Sequence, residues 1–168
     1  MNTKKAASAY GRDGIQGLER VLELHPPEEE WLDELVDSSS SSVMEESTAA
    51  TWLVRAYLMA GAELTKDQTA RLIRSLARVP AGDARLHVCQ TVRDLRVPAR
   101  NAEQLARFLR DCANGDHKFT RAWAVDGFQA LAAQNTKYAR EAGLVLERAE
   151  RDPAASVRAR VRRIRKGK

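Results

Sequence analysis

Apolar residues recur along this chain at intervals of three and four positions, the spacing that places them on one face of an α-helix. Between residues 13 and 24, for example, Ile15, Leu18 and Val21 follow this spacing. Only nine Gly and five Pro interrupt the pattern, and the chain is rich in Ala, Leu, Arg and Glu, which favour helices. The pattern therefore predicts an all-α fold.

Breaks in the pattern divide the chain into about nine predicted helices. Pro26 and Pro27 end the first helix, because the residue before a proline is disfavoured in helical geometry. Thr65 is followed three positions later by Gln68, which fits a capping box at a helix start. The predicted helices cover residues 13–24, 28–36, 44–60, 66–79, 84–95, 101–113, 118–133, 137–150 and 154–166.

Two segments lack the helical period. Residues 1–12 show no periodic apolar face, and we expect a flexible N-terminal tail there. Residues 13–168 fit a single domain, since a chain of this size can bury about 70% of its unfolded surface. Within it, residues 38–42 are a run of serines, which predicts a flexible loop too short to separate domains. A phosphorylated or ligand-gripping loop is the functional alternative for this run.

A unit of about 36 residues repeats from Val43 onward. A shift of that length places Arg85 on Arg121, and it superposes residues 71–74 on residues 107–110. Each unit would be a helix hairpin, which cannot bury its apolar face alone and must stack on its neighbours. The repeat therefore predicts an α-α superhelix of stacked antiparallel helix hairpins, closed by the final helix.

These units resemble HEAT-like and armadillo-like helical repeats. In that family an Asp-Pro turn opens a helix that carries Val-Arg, and the Asp and Arg can bond between neighbouring units. The unit here is shorter than the usual HEAT repeat, and no turn proline precedes Arg121. The resemblance covers residues 43–166 and more weakly 13–37, and it implies a binding scaffold more often than a catalyst. The matching residues are Asp152-Pro153 with Val157-Arg158, and Asp116 with Arg121 one unit earlier.

A stripe of arginines lies opposite the apolar face of the predicted helix 66–79, and it recurs one unit later. In HEAT-like stacks the second helices line the concave surface, so the stripe predicts an Arg-bearing concave face. Arginine suits bidentate capture of carboxylate or phosphate groups. The alternative is a solvated helix face in which Arg serves as a good helix former. The stripe comprises Arg71, Arg74, Arg78, Arg107 and Arg110.

Charge is also unevenly distributed along the chain. Residues 19–46 contain ten acidic residues and one Arg, whereas residues 156–168 contain seven basic residues and no acid. The basic end could hold an acidic partner or the phosphates of a nucleic acid. It could equally be a soluble cap whose cations favour the negative end of the helix dipole. The candidate binding residues in it are Arg158, Arg162, Arg163 and Arg165.

Two sets of residues have the types found in metal or catalytic sites, but their positions favour structural roles. His87 and Cys89 stand about 200° apart around a helix, so they cannot face one ion, and we predict no metal and no cofactor. Cys89 and Cys112 are instead expected to be small buried residues. Trp123, Asp126 and Arg121 are similar to residues that HEAT-like alkylpurine DNA glycosylases use on a basic concave face. Here they would lie on a first helix facing the convex side or a neighbouring unit, which favours packing and bonding between units.

The sequence thus predicts a non-enzymatic scaffold for protein–protein interaction, with an acidic partner segment on the Arg-bearing concave face. Nucleic-acid binding through the stripe and the basic C-terminal helix is the alternative, and a glycosylase-like enzyme is the third. No apolar run approaches the roughly 18 residues of a membrane span, and residues 1–14 lack a signal-peptide core, so a cytoplasmic location without membrane contact is expected. The opposite charges at the two ends predict a monomer or a weak, salt-sensitive head-to-tail association.

Overall fold

The computed structural model describes residues 1–167, and within them the chain forms ten α-helices, four single 3-10 turns and no strand. The all-α prediction is confirmed, and each of the nine predicted helices is present. The helices are α1 Thr3–Asp13, α2 Ile15–Leu24, α3 Glu29–Ser38, α4 Met44–Met59, α5 Lys66–Ser75, α6 Asp83–Thr91, α7 Ala102–Ala113, α8 Lys118–Gln134, α9 Ala139–Ala149 and α10 Ala155–Arg165. The 3-10 turns are Leu76–Arg78, Val92–Asp94, Ala99–Asn101 and Thr136–Tyr138.

The prediction of a flexible tail at residues 1–12 is wrong, because helix α1 occupies this segment. Ala6 and Ala7 of α1 are buried in the N-terminal part of the core, where α1 contacts α4. The backbone N–H and the hydroxyl of Thr3 donate to the carboxylate of Glu34 on α3, at 2.6 and 2.5 Å. The buried face of α1 is made of small residues, which gives little hydrophobic contrast in the sequence.

The helices pack in two rows. In the first row α1 contacts α4, α4 contacts α6, α6 contacts α8, and α8 contacts α10. In the second row α3 contacts α5 and α5 contacts α7, while Arg110 of α7 donates to Glu141 of α9. Contacts of α3 with α4, and of α8 with both α7 and α9, join the rows. The exposed side of the first row carries a cluster of four arginines.

Side-chain hydrogen bonds between neighbouring helices of a row join positions about one repeat apart. The hydroxyl of Thr51 and the Nδ1 atom of His87 are separated by 36 positions, and Arg121 and Asp152 by 31. Such bonds between successive helices hold each row in register. They add direction to packing that is otherwise apolar and non-directional.

The apolar core runs through the molecule as three adjoining clusters. Phe128, Leu105 and Leu109 are fully buried in the central cluster. Gly127 of α8 lies so close to this cluster that a Cβ atom there would meet Leu109 Cδ2 at 2.9 Å. Cys89 and Cys112 are buried, as predicted, in that cluster. None of the helices formed by the described residues is both long and apolar enough to cross a bilayer.

The serine run at residues 38–42 joins α3 to α4, but it is more firmly held than the sequence predicted. Ser39 is fully buried, and its carbonyl oxygen accepts a hydrogen bond of 2.6 Å from the hydroxyl of Ser47. The hydroxyl of Ser41 donates to Glu46 at 2.9 Å. Hydrogen bonding of the hydroxyls to nearby groups gives this polar loop a defined shape.

Candidate anion-binding site

The arginine stripe predicted on the second helices contains two members that are already paired with carboxylates. Arg71 contacts three aspartates from α3 and α5, and Arg110 contacts two glutamates from α7 and α9. The glutamates raise the pKa of Arg110, chiefly through hydrogen bonds. Both guanidinium groups are therefore largely neutralised within the molecule. The partners are Asp33, Asp37 and Asp67 for Arg71, and Glu103 and Glu141 for Arg110.

The other three members of the stripe are exposed and form no ion pair with any described residue. Arg74 and Arg107 line a common cleft of about 190 Å³ between α5 and α7, together with Arg85 from α6. Arg78 lies outside this cleft. The structure thus brings two of the five predicted stripe residues together as free cations, and it adds one arginine that the stripe did not include.

The basic cluster predicted in the final helix is divided in the same way. Arg158 donates from Nη1 to the carbonyl oxygens of Asp152 and Pro153, at 2.6 and 2.8 Å, and so braces the turn before α10. Arg165 pairs with Glu150. Arg162 and Arg163, which are exposed, form no ion pair with the described residues. They are the members of this cluster that remain available to a ligand.

Arg163 belongs to a groove of about 750 Å³ on the exposed side of the first row, which we call the arginine groove. The resemblance to HEAT-like stacks predicted that these first helices face a convex side or a neighbouring unit. A single groove lined by residues of α4, α8 and α10 indicates instead that this surface is indented. The side chains that define the groove are Arg55, Arg93, Trp123, Arg160 and Arg163.

Two of these arginines are held in place by a buried carboxylate. Asp126 of α8 is only 1% exposed, and it accepts hydrogen bonds from Nε and Nη2 of Arg93, the latter at 2.7 Å. Arg160 approaches the same carboxylate at 3.8 Å, and its guanidinium carbon lies 3.4 Å from the ring centroid of Trp123. Burial lowers the pKa of Arg160. Because Asp126 and Trp123 fix both guanidinium groups, they need little ordering when a ligand binds.

The remaining two arginines of the groove have no acidic partner among the described residues. Arg55 extends from α4, and its Nε atom is buried without a hydrogen bond. Burial lowers the pKa of Arg55, which means that its positive charge is incompletely compensated. Arg163 is exposed and also lines the groove. Both can therefore accept a new anionic partner without breaking an existing ion pair.

The charges around the groove leave an excess of positive charge. Four arginines face two carboxylates, Asp94 and Asp126, so the formal balance is +2. Sequence reasoning missed this groove because no single helix carries a stripe there. Arg55 and Arg93 come from different units, and Arg163 is the only one of the four arginines that the sequence had marked as a candidate binding residue.

Of the three residues that resembled a glycosylase site, Trp123 and Asp126 both contact Arg160, whereas Arg121 pairs elsewhere. Trp123 lines the arginine groove, and Asp126 bonds to Arg93 of the preceding unit, which is the inter-unit role predicted for it. Arg121 instead donates to Asp152 at 2.9 and 3.1 Å, near the turn that opens α10. This is the kind of Asp–Arg bond between neighbouring units that the HEAT-like resemblance implied.

The groove offers positively charged hydrogen-bond donors that suit the oxygen atoms of carboxylates and phosphates. Within residues 1–167, no three His, Cys, Asp or Glu side chains are grouped as metal ligands would be. No protein family model, curated protein or solved structure matches the chain.

Proposed function

We propose that this chain is a HEAT-like repeat protein, with hairpins stacked into an α-α superhelix, that binds an acidic segment of a protein partner. The two rows of helices and the hydrogen bonds one repeat apart support the superhelix. The arginine groove is the binding site, and the role is that of a non-enzymatic scaffold. The observation that carries the proposal is the convergence of four guanidinium groups on one groove, from α4, from the 3-10 turn after α6, and from α10.

Arg55 gives the strongest physical reason for an anionic ligand. A buried donor without an acceptor costs about 1–3 kcal/mol, and more when the group is charged. A carboxylate in the groove would pair with the guanidinium of Arg55, which has no acidic partner among the described residues, and would offset its desolvation. The groove volume of about 750 Å³ also lies within the range of pockets that enclose a ligand, roughly 300–1,000 Å³.

The groove favours an acidic peptide over a nucleic acid for two reasons. Arg160 covers a face of Trp123, so that face of the ring is not open for stacking on a base. Asp94 also lines the groove, where it would repel a phosphate backbone but could accept a peptide N–H. A short segment rich in Glu or Asp satisfies both the arginines and this carboxylate.

Nucleic-acid binding remains the second candidate, because exposed arginines extend beyond the groove. Arg163 lines the groove, and Arg162 is the residue before it on α10. Both are exposed and form no ion pair with the described residues. Together with Arg55 they could follow a phosphate backbone. Such contacts release counterions, so the affinity would fall steeply as salt is added.

Fluorescence anisotropy with a labelled Glu-rich peptide tests the first proposal. The double variant Arg55→Glu/Arg163→Glu should weaken peptide binding at least about tenfold, because two attractive charges become repulsive. The matched control is Arg100→Glu/Arg140→Glu, which makes the same change in net charge at two exposed arginines outside the groove. Equal weakening in both double variants would mean that net charge alone attracts the peptide, and the groove would be rejected as the site.

The same titrations with duplex and single-stranded DNA at several salt concentrations separate the two candidates. A duplex that contacts Z phosphates gives a log–log salt slope of about −0.9Z. If duplex binds more tightly than the acidic peptide, with a steep slope and sensitivity to Arg162→Glu, nucleic acid replaces the peptide as the ligand. If the peptide binds more tightly and Arg162→Glu has little effect, the acidic segment is retained.

A further inference from the structure

The cleft of about 190 Å³ between α5 and α7, which we call the α5–α7 cleft, is a second positively charged site. It shares no lining residue with the arginine groove. It is lined by apolar side chains, by one arginine from each of three successive helices, and by one carboxylate. The polar side chains that line it are Arg74, Arg85, Gln104, Arg107 and Asp111.

Arg85 is fixed at the edge of this cleft by two contacts. Its Nε donates to the carbonyl oxygen of Val79 at 3.3 Å, and its guanidinium carbon lies 5.6 Å from the ring centroid of Phe108. This hydrogen bond uses Nε alone, and Arg85 forms no ion pair with the described residues. A guanidinium fixed in this way loses little freedom when it binds an anion.

The other donors of the α5–α7 cleft are unpaired. Arg74 and Arg107 are exposed, and neither forms an ion pair with the described residues. The Oε1 atom of Gln104 accepts a hydrogen bond of 3.0 Å from Asn101, which orients the amide and leaves its NH₂ group as a donor. The cleft thus presents three cations and one neutral donor to whatever enters it.

The charge and the size of the cleft together indicate which group it fits. Three arginines and Asp111 give a formal balance of +2, and a phosphate monoester carries about −1.5 to −2 at neutral pH. A single carboxylate would neutralise only half of that charge. The volume of about 190 Å³ is below the roughly 300–1,000 Å³ of pockets that enclose whole small molecules, so a group at the end of a side chain fits better.

We propose that the α5–α7 cleft binds the phosphate group of a phosphorylated serine or threonine side chain on a protein partner. Arg85 provides a fixed guanidinium for the phosphate oxygens, and Arg74 and Arg107 close on it from the two flanking helices. The negative charge of Asp111 repels anions, so ions with a single negative charge should bind the cleft more weakly than a phosphate monoester. This site does not depend on the arginine groove, and it would survive if that groove proved to have no ligand.

Nuclear magnetic resonance of the arginine Nε–Hε groups tests this site directly. The ¹⁵N-labelled protein is titrated with inorganic phosphate, then with a phosphoserine peptide and its unphosphorylated counterpart. We expect saturable shifts of the Arg85 and Arg107 signals with phosphate and with the phosphopeptide, and no saturable shift with the plain peptide. Equal responses to both peptides would overturn the proposal.

Three variants locate the effect. Arg107→Gln should weaken binding of the phosphopeptide at least about tenfold, since charge-assisted hydrogen bonds to the phosphate are lost. Asp111→Asn should strengthen binding of the phosphopeptide a few-fold, because a repulsive charge is removed. Arg78→Gln removes one exposed arginine from the neighbouring 3-10 turn outside the cleft, and it should change the affinity less than about twofold.

Two results would count against the cleft. If Arg107→Gln and Arg78→Gln lowered the affinity for the phosphopeptide equally, the effect would be one of general charge. If only Arg55→Gln/Arg163→Gln lowered it, the phosphate would bind in the arginine groove. Adenosine monophosphate serves as a further arm. If it shifted the same signals with higher affinity than the phosphopeptide, a nucleotide and not a phosphorylated side chain would be the ligand.

Discussion

The hydroxyl of Thr51 on α4 and the Nδ1 atom of His87 on α6 lie 3.2 Å apart, at positions separated by 36 residues. His87 is 7% exposed, so its ring packs within the first row of helices. Burial, together with the positive charge of Arg55, lowers the pKa of His87 to about 4, although Asp83 acts in the opposite direction. The folded protein therefore keeps this imidazole neutral well below the pH at which an exposed histidine gains a proton.

The first prediction is a loss of stability between about pH 6.5 and pH 4. Above pH 6.5 the ring is neutral in both the folded and the unfolded protein. Between about pH 6.5 and pH 4 the unfolded chain binds a proton at His87, whereas the folded protein does not. The free energy of unfolding should fall by about 2 kcal/mol between pH 7 and pH 4.5, as measured by urea denaturation. His87→Gln should remove most of this pH dependence, because an amide does not titrate there.

His117→Asn is the control for this measurement. His117 is an exposed residue whose side chain caps α8, and asparagine can cap a helix as well. The control should keep the same fall in stability with acid as the original protein. If His87→Gln and the original protein had equal pH dependence, the buried imidazole would not be its source.

The second prediction concerns the ion pair between Arg121 and Asp152, which joins two units and is mostly buried. Asp152 accepts two hydrogen bonds from Arg121 and one of 2.8 Å from the backbone of Ala154, and Arg121 is the main reason that the pKa of Asp152 is lowered. Asp152→Asn should lower the free energy of unfolding by about 2–3 kcal/mol at neutral pH. It should also remove part of the stability loss below about pH 4, since the lowered pKa stabilises the fold only while the carboxylate is charged.

An exposed ion pair provides the comparison for Asp152→Asn. Arg20 and Asp13 form a contact in which both side chains are well exposed. Arg20→Gln should change the free energy of unfolding by less than about 1 kcal/mol, as is usual for surface pairs. Losses of similar size in the two variants would mean that the bond between units contributes no more than a surface contact.

Much of the fold could be predicted because its signals are local. Apolar spacing and helix-breaking residues lie within each segment, and the shift of 36 residues compares segments directly. Helix α1 was missed because Ala6 and Ala7 give a weak apolar signal and Thr3 bonds to Glu34, which lies 31 positions away. Nothing in residues 1–12 alone announces that partner.

The candidate site was harder to predict because it depends on pairings between units. The stripe on α5 can be recognised in a single helix, but the neutralisation of Arg71 by Asp33 depends on how α3 packs against α5. The arginine groove requires α4 and α10 to approach the same cavity, although Arg55 and Arg163 are far apart in the chain. Packing of the helices in the first row brings Arg55 and Arg163 to the same groove, and no single helix of that row carries all of the groove's arginines.

The third prediction is that Asp126→Asn affects stability and binding in opposite directions. The carboxylate of Asp126 is buried between Arg93 and Arg160, so loss of its charge should cost about 2–3 kcal/mol in the free energy of unfolding. The same change raises the formal charge of the arginine groove, so an acidic peptide should bind a few-fold more tightly at low salt. Urea denaturation and fluorescence anisotropy measure the two effects. Weaker peptide binding would instead mean that Asp126 acts mainly by positioning Arg93.

The fourth prediction compares two glycines inside helices. A Cβ atom at Gly127 would lie 2.9 Å from Leu109 and 3.4 Å from Val92, whereas at Gly143 of α9 it would meet no atom within 4 Å. Gly127→Ala should destabilise the protein by about 1 kcal/mol, because overpacking outweighs the gain in helix propensity. Gly143→Ala should stabilise it by up to about 1 kcal/mol. A rise in melting temperature for both variants would contradict the close packing of α8 on the core.

The spacing of the bonds between units also has a consequence for how the chain folds. Among the described residues, no side-chain hydrogen bond joins positions more than 39 residues apart. Only short loops must close before native contacts form, so the entropic barrier should be small and folding fast. Among the described residues, α10 packs mainly on α8 and less on α9 at one end of the first row, so it should be among the first helices to open. Its opening would carry Arg160 and Arg163 out of the arginine groove, and a ligand bound there would therefore slow the unfolding of this end of the chain.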